Sequence, residues 1–388
     1  MPSGDRVEPT VRRDWLQRLP KVELHLHLEG AIPHAALWDL ICKYGGDPRV
    51  PTFESLPGVF VYRDFPQFIE TWLWKQSFLR EANDFELIAA AVAADLARQG
   101  IVYAEAFYSP WDARGPGLST QEVSLAIRRG LSSVAGVEVA LIADLVRDQG
   151  PAGAALTLEE VSEVAAEAGV IGIGIGGSEQ LFPPEPFAPV YERARTLGLR
   201  TTAHAGEVAG PESVWGAVRA LRVDRIDHGT RAVEDPALVA YLAERRLPVT
   251  SCPGSNVATG AVRSLETHPI RLFLDAGLLV SVSTDDPAMF GSSLAGELAA
   301  LQSRLGFTDA DIRRLQLNAV DSCWLPEPRK AALGARIVGH SAGPSRRAGD
   351  PRDHGRNERT EPTRDRGSRT WVTGSSRGRP WSGCEPAR

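Results

Sequence analysis

Apolar positions along the chain follow two spacings that alternate from one segment to the next. Short segments rich in Val, Ile and Leu have the pattern of buried strands, and longer segments with apolar residues three and four positions apart have that of amphipathic helices. Strands are predicted at eight places, most of them separated by a helix: residues 21–30, 101–108, 137–143, 170–175, 199–204, 224–228, 247–251 and 278–284. Strands that alternate with helices favour a parallel sheet, and eight such units predict an α/β fold of the (β/α)8 TIM-barrel type. A doubly wound open sheet is the alternative fold.

Composition divides the 388-residue chain into three predicted parts. Residues 1–19 are polar and charged and are predicted to be an N-terminal extension without the apolar core of a signal peptide. Residues 20–338 contain the barrel pattern. Residues 339–388 are rich in Arg, Gly, Pro and Ser and nearly lack aliphatic side chains, so we expect a disordered tail.

Charge and cysteine content narrow the possible partners. The net charge of −6 gives no general attraction to nucleic acid. No apolar run reaches the roughly 18 residues that a membrane span needs. The four cysteines include no CxxC pair, which speaks against a cysteine zinc site and favours a reducing compartment. We therefore expect a cytoplasmic protein with a small-molecule substrate and no nucleic-acid or membrane partner; no pattern indicates an oligomeric state.

Polar side chains collect at the predicted carboxyl ends of the strands, where barrel enzymes place their active sites. His25 and His27 share one face of the first strand, because residues two apart in a strand point the same way. His204 ends the fifth strand, His228 the sixth, and Asp285 follows the eighth. Three imidazoles and a carboxylate fit a first shell for zinc with one position left for water. Singly, each residue is equally typical of a packed core histidine or a helix cap; their coincidence predicts a mononuclear metal site.

The other two histidines before residue 340 lie in helix or loop context. We expect His34 and His268 on the surface, away from the site.

Four short segments, HLHLEG from His25, HAGE from His204, DHG from Asp227 and STDDP from Ser283, resemble the adenosine deaminase family of the amidohydrolase superfamily. The resemblance extends from about residue 20 to residue 330. It implies one zinc ion per chain, with four ligands: His25, His27, His204 and Asp285.

The resemblance also implies a reaction and roles for further residues. Glu207 would give a proton to N1 of a purine, and His228 would orient the zinc-bound water and take a proton from it. Asp286 would form a hydrogen bond with N7, and the backbone N–H of Gly177 would meet N3. Water then adds to C6, and the 6-amino group leaves as ammonia.

Two departures from the family pattern affect the substrate rather than the reaction. Members that act on adenosine usually have Asp, which reaches the ribose 5′ hydroxyl, where this chain has Glu29. They usually have DLAGDE where this chain has GIGGSE at residues 174–179. Adenosine or deoxyadenosine, aminodeoxyfutalosine and adenine therefore all stay open as substrates of a metal-dependent purine nucleoside deaminase.

The predicted helix at residues 65–79 resembles the helix that covers the pocket in this family. Trp72 and Lys75 could there hold the aromatic acid of aminodeoxyfutalosine, although aromatic residues at helical spacing equally pack in a core. A catalytically inactive metal-binding relative is an alternative of another class, and the presence of both Glu207 and His228 speaks against it.

Overall fold

Eight parallel strands form the centre of the computed structural model, which describes residues 15–63 and 65–340. The strands in chain order are β1 Lys21–His27, β2 Ile101–Tyr108, β3 Glu138–Asp144, β4 Val170–Gly174, β5 Arg200–Ala205, β6 Arg225–His228, β7 Val249–Ser251 and β8 Val280–Val282. Each strand pairs with the next one along the chain. This order confirms the predicted TIM-type barrel and excludes the open sheet, whose strand order would reverse at a switch point.

Helices connect the strands and cover the outside of the barrel. In the part of the chain that the structure describes, the named α-helices are α1 His34–Lys43, α2 Phe65–Gln76, α3 Ala82–Arg98, α4 Thr120–Ser132, α5 Gly150–Ala168, α6 Ala188–Thr196, α7 Pro211–Gly216, α8 Pro236–Arg245, α9 Pro253–Ala258, α10 Ile270–Asp275, α11 Pro287–Phe290, α12 Leu294–Leu305, α13 Asp309–Ser322 and α14 Glu327–Gly339. The apolar spacing predicts the fifth of these helices only over residues 158–168, and in the structure α5 begins eight residues earlier, at Gly150.

The ends of the chain differ in what the structure describes. Trp15, Leu16 and Leu19, at the end of the predicted extension, are buried in the core next to the barrel. The predicted tail lies outside the described residues from residue 341 onward. Among the described residues, no helix is both long and apolar enough to cross a membrane.

The seam between β8 and β1 is closed by hydrogen bonds at the carboxyl ends of these strands. The N–H of His27 donates to the carbonyl of Asp285 at 2.9 Å, and the N–H of Asp285 donates to the carbonyl of His25 at 3.1 Å. The N–H and the hydroxyl of Thr284 both donate to Glu23 Oε1, at 2.9 and 2.5 Å. Barrel closure therefore passes through residues that the sequence assigned to the metal site.

A buried ion pair lies at the start of β6, away from the carboxyl ends. Arg225 Nη1 lies 2.5 Å from Glu105 Oε2, and both side chains are fully buried. The guanidinium also lies 4.2 Å from the ring centroid of Trp324, whose backbone N–H donates to Glu105 Oε1 at 2.6 Å. Removing either Arg225 or Glu105 would leave the other charge buried and unpaired, which would destabilise the fold.

Close packing of α3 against α4 depends on Gly130. A Cβ at this position would collide with the carbonyl oxygen of Glu86 and with the Cβ of Ala89. We expect Gly130→Ala to lower the free energy of unfolding by about 1–3 kcal/mol, as overpacking does in well-packed cores. Gly334→Ala is the matched control, since the nearest atom to its added Cβ is 3.8 Å away in Leu317. Urea denaturation of both variants measures the effect, and equal stabilities would contradict it.

Candidate active site

A cavity of about 350 Å³ opens at the carboxyl ends of the strands. One wall is apolar and comes from α2, which contributes Phe68, Ile69, Trp72 and Leu73. The floor is polar and contains six of the residues selected from the sequence: His27, His204, Glu207, His228, Asp285 and Asp286. The volume lies at the small end of the roughly 300–1,000 Å³ typical of small-molecule pockets.

The imidazoles and the carboxylate on this floor lie close enough to share one metal ion. Ligand atoms of His25, His204, His228 and Asp285 all fall within 4.8 Å of one another. His27 Nε2 lies 3.2 Å from both Asp285 Oδ1 and His204 Nε2, so it borders the same point. The structure thus brings together the four predicted ligands and places His228 equally near them.

The charge state of these histidines suits a cation site. Burial lowers the pKa of His25 and, together with the neighbouring imidazoles, the pKa of His204, so both are neutral, the form that binds metal. Burial also lowers the pKa of His27, but the carboxylates of Asp285 and Asp286 outweigh it and raise this pKa to about 10. The raised pKa of His27 shows that these carboxylates favour a positive charge at this point of the site.

Buried groups behind the histidines fix their orientation. His25 Nδ1 lies 3.2 Å from Thr250 Oγ1, and this hydroxyl donates to Asp227 Oδ1 at 2.9 Å. Thr202 Oγ1 donates to the other oxygen of Asp227 at 2.7 Å, and His204 Nδ1 lies 3.9 Å from that oxygen. Because the Thr250 hydroxyl donates to Asp227, it accepts a hydrogen bond from His25 Nδ1, which therefore carries the proton. The lone pair of His25 Nε2 then stays available for a metal ion, as in carboxylate–histidine–metal arrangements.

Backbone strain is concentrated at the cavity. Among the described residues, five non-glycine positions have positive φ, and three of them, Val146, His228 and Asp285, line this cavity. A left-handed conformation costs about 1–2 kcal/mol per non-glycine residue. Ser255 Oγ donates to Asp285 Oδ2 at 2.5 Å and so holds this carboxylate in place. The surrounding bonds stabilise a strained geometry that turns functional side chains inward.

Glu207 and His228 form the pair suited to proton transfer. Glu207 Oε2 lies 3.6 Å from His228 Nε2, and the Glu207 side chain is 18% exposed. Burial raises the pKa of the Glu207 carboxyl, which favours the protonated form that a general acid needs. Burial lowers the pKa of His228, but the charges of Glu207, Asp285 and Asp227 outweigh it and raise this pKa.

The loop that carries Glu207 is held by a second carboxylate, Glu179. Glu179 Oε1 accepts a hydrogen bond from the N–H of Gly206 at 2.5 Å. Its Oε2 accepts from the N–H groups of Glu207, Val208 and Ala209 at 3.1, 2.9 and 3.0 Å. Four consecutive N–H donors on one buried carboxylate fix the backbone of this loop and therefore the position of Glu207.

Asp286 and Gly177 both line the cavity. Burial and the adjacent Asp285 carboxylate raise the pKa of Asp286 to about 7, and its Oδ1 is buried without a hydrogen-bond partner among the described residues. Gly177 has φ +103°, and a Cβ there would collide with the carboxylate of Asp148. Glycine is therefore required at this position.

The three remaining predicted contacts are placed differently. Trp72 lines the cavity, but Glu29 and Lys75 lie behind its wall. Lys75 Nζ donates to the carbonyl of Glu29 at 2.5 Å and lies 4.0 Å from the Trp72 ring centroid. Glu29 Oε1 accepts from the N–H of Ser109 at 2.9 Å. The structure thus does not bring Lys75 to the cavity surface.

Two histidines expected on the surface differ in their placement. His34 is half-buried, with Nε2 2.9 Å from the carbonyl of Ala288. The prediction for His268 was wrong, since this residue is buried and bonded to Asn256. Sequence analysis also missed the supporting roles of Asp227, Glu179 and Asn256. The first two lie in segments already singled out, and only their partners reveal what they do.

A cluster of side chains suited to hold a metal ion, beside a carboxyl–imidazole pair at the carboxyl end of a (β/α)8 barrel, is typical of hydrolytic enzymes of the amidohydrolase type. Residues 20–339 match the family model described as adenosine deaminase. The chain belongs to the adenosine deaminase family of the amidohydrolase superfamily, and it is a deaminase of adenosine-like or adenine substrates.

The chain is similar over most of its length to relatives of two names. Aminodeoxyfutalosine deaminase of Streptomyces coelicolor is 36% identical over 348 residues, covering 87% of this chain and 89% of the relative. Adenine deaminase of Bordetella avium is 35% identical over 313 residues, covering 80% and 98%.

Solved structures agree with both the fold and the family. Adenine deaminase from Arthrobacter aurescens has a TM-score of 0.77 and 30% identity, covering 83% of this chain and 98% of that one. An amidohydrolase from Burkholderia ambifaria, solved with bound zinc, has a TM-score of 0.79 and 30% identity, covering 87% and 94%.

The bonds to Glu179 generate a prediction for catalysis. Glu179→Gln replaces one acceptor oxygen by an NH2 group, which would oppose at least one of the four N–H donors. We expect a kcat at least about tenfold lower with KM and metal content little changed, because misplacing a catalytic group is costly even when binding persists. Glu234→Gln, which alters a carboxylate paired with Arg231 at the surface, is the control. A Glu179→Gln enzyme with wild-type kcat would contradict the positioning role.

Proposed function

We propose that this protein is a zinc-dependent enzyme that removes the 6-amino group of an adenosine-like nucleoside by hydrolysis and releases ammonia. One observation supports this most directly: the Glu207–His228 pair lines the same cavity as His27, His204 and Asp285. The buried His25 lies next to them, with its Nε2 3.2 Å from Asp285 Oδ1. The neighbouring Asp286 and Gly177 offer groups that suit a purine edge.

The donor set fits zinc. Three imidazoles and one carboxylate favour zinc over magnesium or calcium, which prefer oxygen ligands alone. His25 Nε2 is buried and makes no hydrogen bond within the described residues, as a ligand nitrogen would. His25, His27, His204 and Asp285 would hold the ion, one per chain. When bound, zinc lowers the pKa of a water ligand to about 7 and so supplies a nucleophile at neutral pH.

Proton transfer falls to the chain's own residues. Glu207, protonated because of its raised pKa, gives its proton to N1 of the purine, which makes C6 electrophilic. His228, whose Nε2 lies 3.6 Å from Glu207 Oε2, orients the attacking oxygen. The bond from C6 to oxygen forms as the water gives one proton to Glu207, which has just protonated N1. The bond from C6 to nitrogen then breaks as the second proton of that water moves to the 6-amino group, which leaves as ammonia.

Recognition of the ring uses both polar edges of the cavity. Asp286, whose pKa of about 7 lets it hold a proton, donates to the acceptor N7. The N–H of Gly177 donates to N3. Glu29 and Lys75 act indirectly, since Lys75 bonds to the Glu29 carbonyl and supports Trp72 from behind.

Aminodeoxyfutalosine is the substrate that the observations favour among adenosine-like nucleosides. Two Streptomyces relatives with 36% identity carry that activity in their names. The wall from α2 continues outward from the cavity through Leu73, which is 61% exposed. An aromatic substituent beyond the ribose would cover this apolar surface, whereas a bare purine would leave it in water.

Adenine is a second candidate. Several relatives named adenine deaminase are 33–36% identical to this chain, and one solved relative of that name has a TM-score of 0.77. The small volume of the cavity is compatible with this substrate.

Replacing the acid tests the mechanism. We expect Glu207→Gln to lower kcat by about 10²- to 10⁴-fold, the usual contribution of general acid–base catalysis, because glutamine cannot supply the proton to N1. Zinc content, measured by atomic absorption, should stay at one per chain. Full activity in this variant would contradict the proposed role, and the surface variant Glu192→Gln serves as the control.

A substrate panel tests the specificity. Ammonia release is measured with aminodeoxyfutalosine, adenosine, deoxyadenosine and adenine, with and without a zinc chelator. We expect chelator-sensitive turnover, with the highest kcat/KM for aminodeoxyfutalosine. A higher value for adenine would transfer the assignment to the second candidate. No turnover of any member by zinc-loaded protein would favour the catalytically inactive relative.

A further inference from the structure

A continuous chain of hydrogen bonds runs from a backbone N–H on α10 to the imidazole of His228. The N–H of Ile270 donates to His268 Nδ1 at 3.2 Å. His268 Nε2 lies 3.2 Å from Asn256 Oδ1, and Asn256 Nδ2 lies 3.1 Å from His228 Nδ1. Asn256, His268 and His228 are all buried, so bulk water does not compete for these bonds.

The first bond of this chain determines the proton positions in all that follow. A backbone N–H can only donate, so His268 Nδ1 must be an acceptor. Burial lowers the pKa of His268 to about 3, which keeps the ring neutral with its single proton on Nε2. That N–H donates to Asn256, and the atom it meets must be the amide oxygen.

Thr230 strengthens the same orientation of the amide. Its Oγ1 donates to Asn256 Oδ1 at 2.9 Å, so this oxygen accepts two hydrogen bonds. Rotating the amide by half a turn would set the NH2 group against the N–H of His268. The NH2 group of Asn256 is therefore held toward His228 Nδ1, where it donates.

We propose that Asn256 and His268 are positioning residues that hold the proton of neutral His228 on Nε2, so that His228 presents a hydrogen-bond donor to the reacting oxygen. This inference rests on the proposed function for its catalytic consequence only. His228 Nε2 faces the cavity beside Glu207 Oε2, at 3.6 Å, while Nδ1 is occupied by the amide.

The proposal changes the role expected of His228. With its cavity-facing nitrogen already protonated, the ring has no lone pair available there to take a proton from water. It instead donates toward the oxygen that attacks C6 and stabilises the charge that develops on it, while the proton that the water loses passes to the Glu207 carboxylate left after N1 is protonated. A proton on Nδ1 would instead face the NH2 group of Asn256, donor against donor, at 3.1 Å.

Replacing Asn256 by aspartate reverses the direction of the hydrogen bond to His228 Nδ1, because the side chain keeps its shape but loses its NH2 donor. In Asn256→Asp, the group facing His228 Nδ1 becomes an acceptor, so we expect a proton on Nδ1. In Asn256→Ala, no group fixes the proton. We expect kcat to fall by about 10²-fold or more in Asn256→Asp, the direction seen when a wrong histidine tautomer is enforced, and to fall less in Asn256→Ala. KM and zinc content should change little in both.

This order of effects separates positioning from packing. A purely structural role predicts the opposite order, because alanine leaves a cavity and a buried unpaired His268 whereas aspartate keeps the volume. Asn83→Asp, the same change at an exposed residue on α3, is the matched control and should retain wild-type kcat. A kcat for Asn256→Asp equal to or above that of Asn256→Ala would overturn the proposal.

Nitrogen NMR tests the proton position without turnover. Ring ¹⁵N shifts of histidine-labelled, zinc-loaded protein separate protonated from unprotonated nitrogens, and the His228 signals are identified by their loss in His228→Gln. We expect an unprotonated Nδ1 and a protonated Nε2 in the wild type, and a protonated Nδ1 in Asn256→Asp. A protonated Nδ1 in the wild type would overturn the proposal. Absence of deaminase activity with the expected spectrum would refute the proposed function but leave this assignment standing.

Discussion

The closure of the barrel by Asp285 is the constraint on which the site depends. Its backbone N–H and carbonyl join the end of β8 to His25 and His27 on β1. Its side chain lies 3.2 Å from the Nε2 atoms of the same two histidines. One residue in a left-handed conformation therefore completes the β-ladder and places a carboxylate against two imidazoles. The distances within this cluster are set by strand register rather than by flexible loops.

Around this centre, carboxylates divide into two kinds by their hydrogen bonds. Asp227 and Glu179 accept several bonds each and act as fixed acceptors that orient histidines or backbone. Glu207 and Asp286 have raised pKa values, and Asp286 Oδ1 has no partner among the described residues. Groups that accept many bonds stabilise the structure, and those left with few are the ones available to a substrate.

The periodic pattern of the sequence was enough to predict the barrel, because eight strands with helical connections admit few other topologies. The proximity of the strand-end histidines and Asp285 was predictable because strand ends converge at one face of a barrel, whereas the roles expected of Glu207 and of the individual histidines come from the family resemblance. His268 was missed because its burial depends on packing between α10 and the segment carrying Asn256, which no local pattern reports. Lys75 was placed at the substrate for its charge, whereas the structure bonds its ammonium to the carbonyl of Glu29. The spacing of residues along the chain does not show which group a long side chain such as Lys75 contacts in a distant segment.

The buried ammonium of Lys75 has a consequence for how ligands enter. It joins α2 to the segment after β1 through the Glu29 carbonyl, and it also contacts Met289 Sδ, on α11, at 3.3 Å. Moving α2 outward as a rigid body would break both contacts at once, so they hold this helix over the cavity. If α2 stays in place, a ligand reaches the cavity past the outer side chains of this helix, of which Leu73 is 61% exposed.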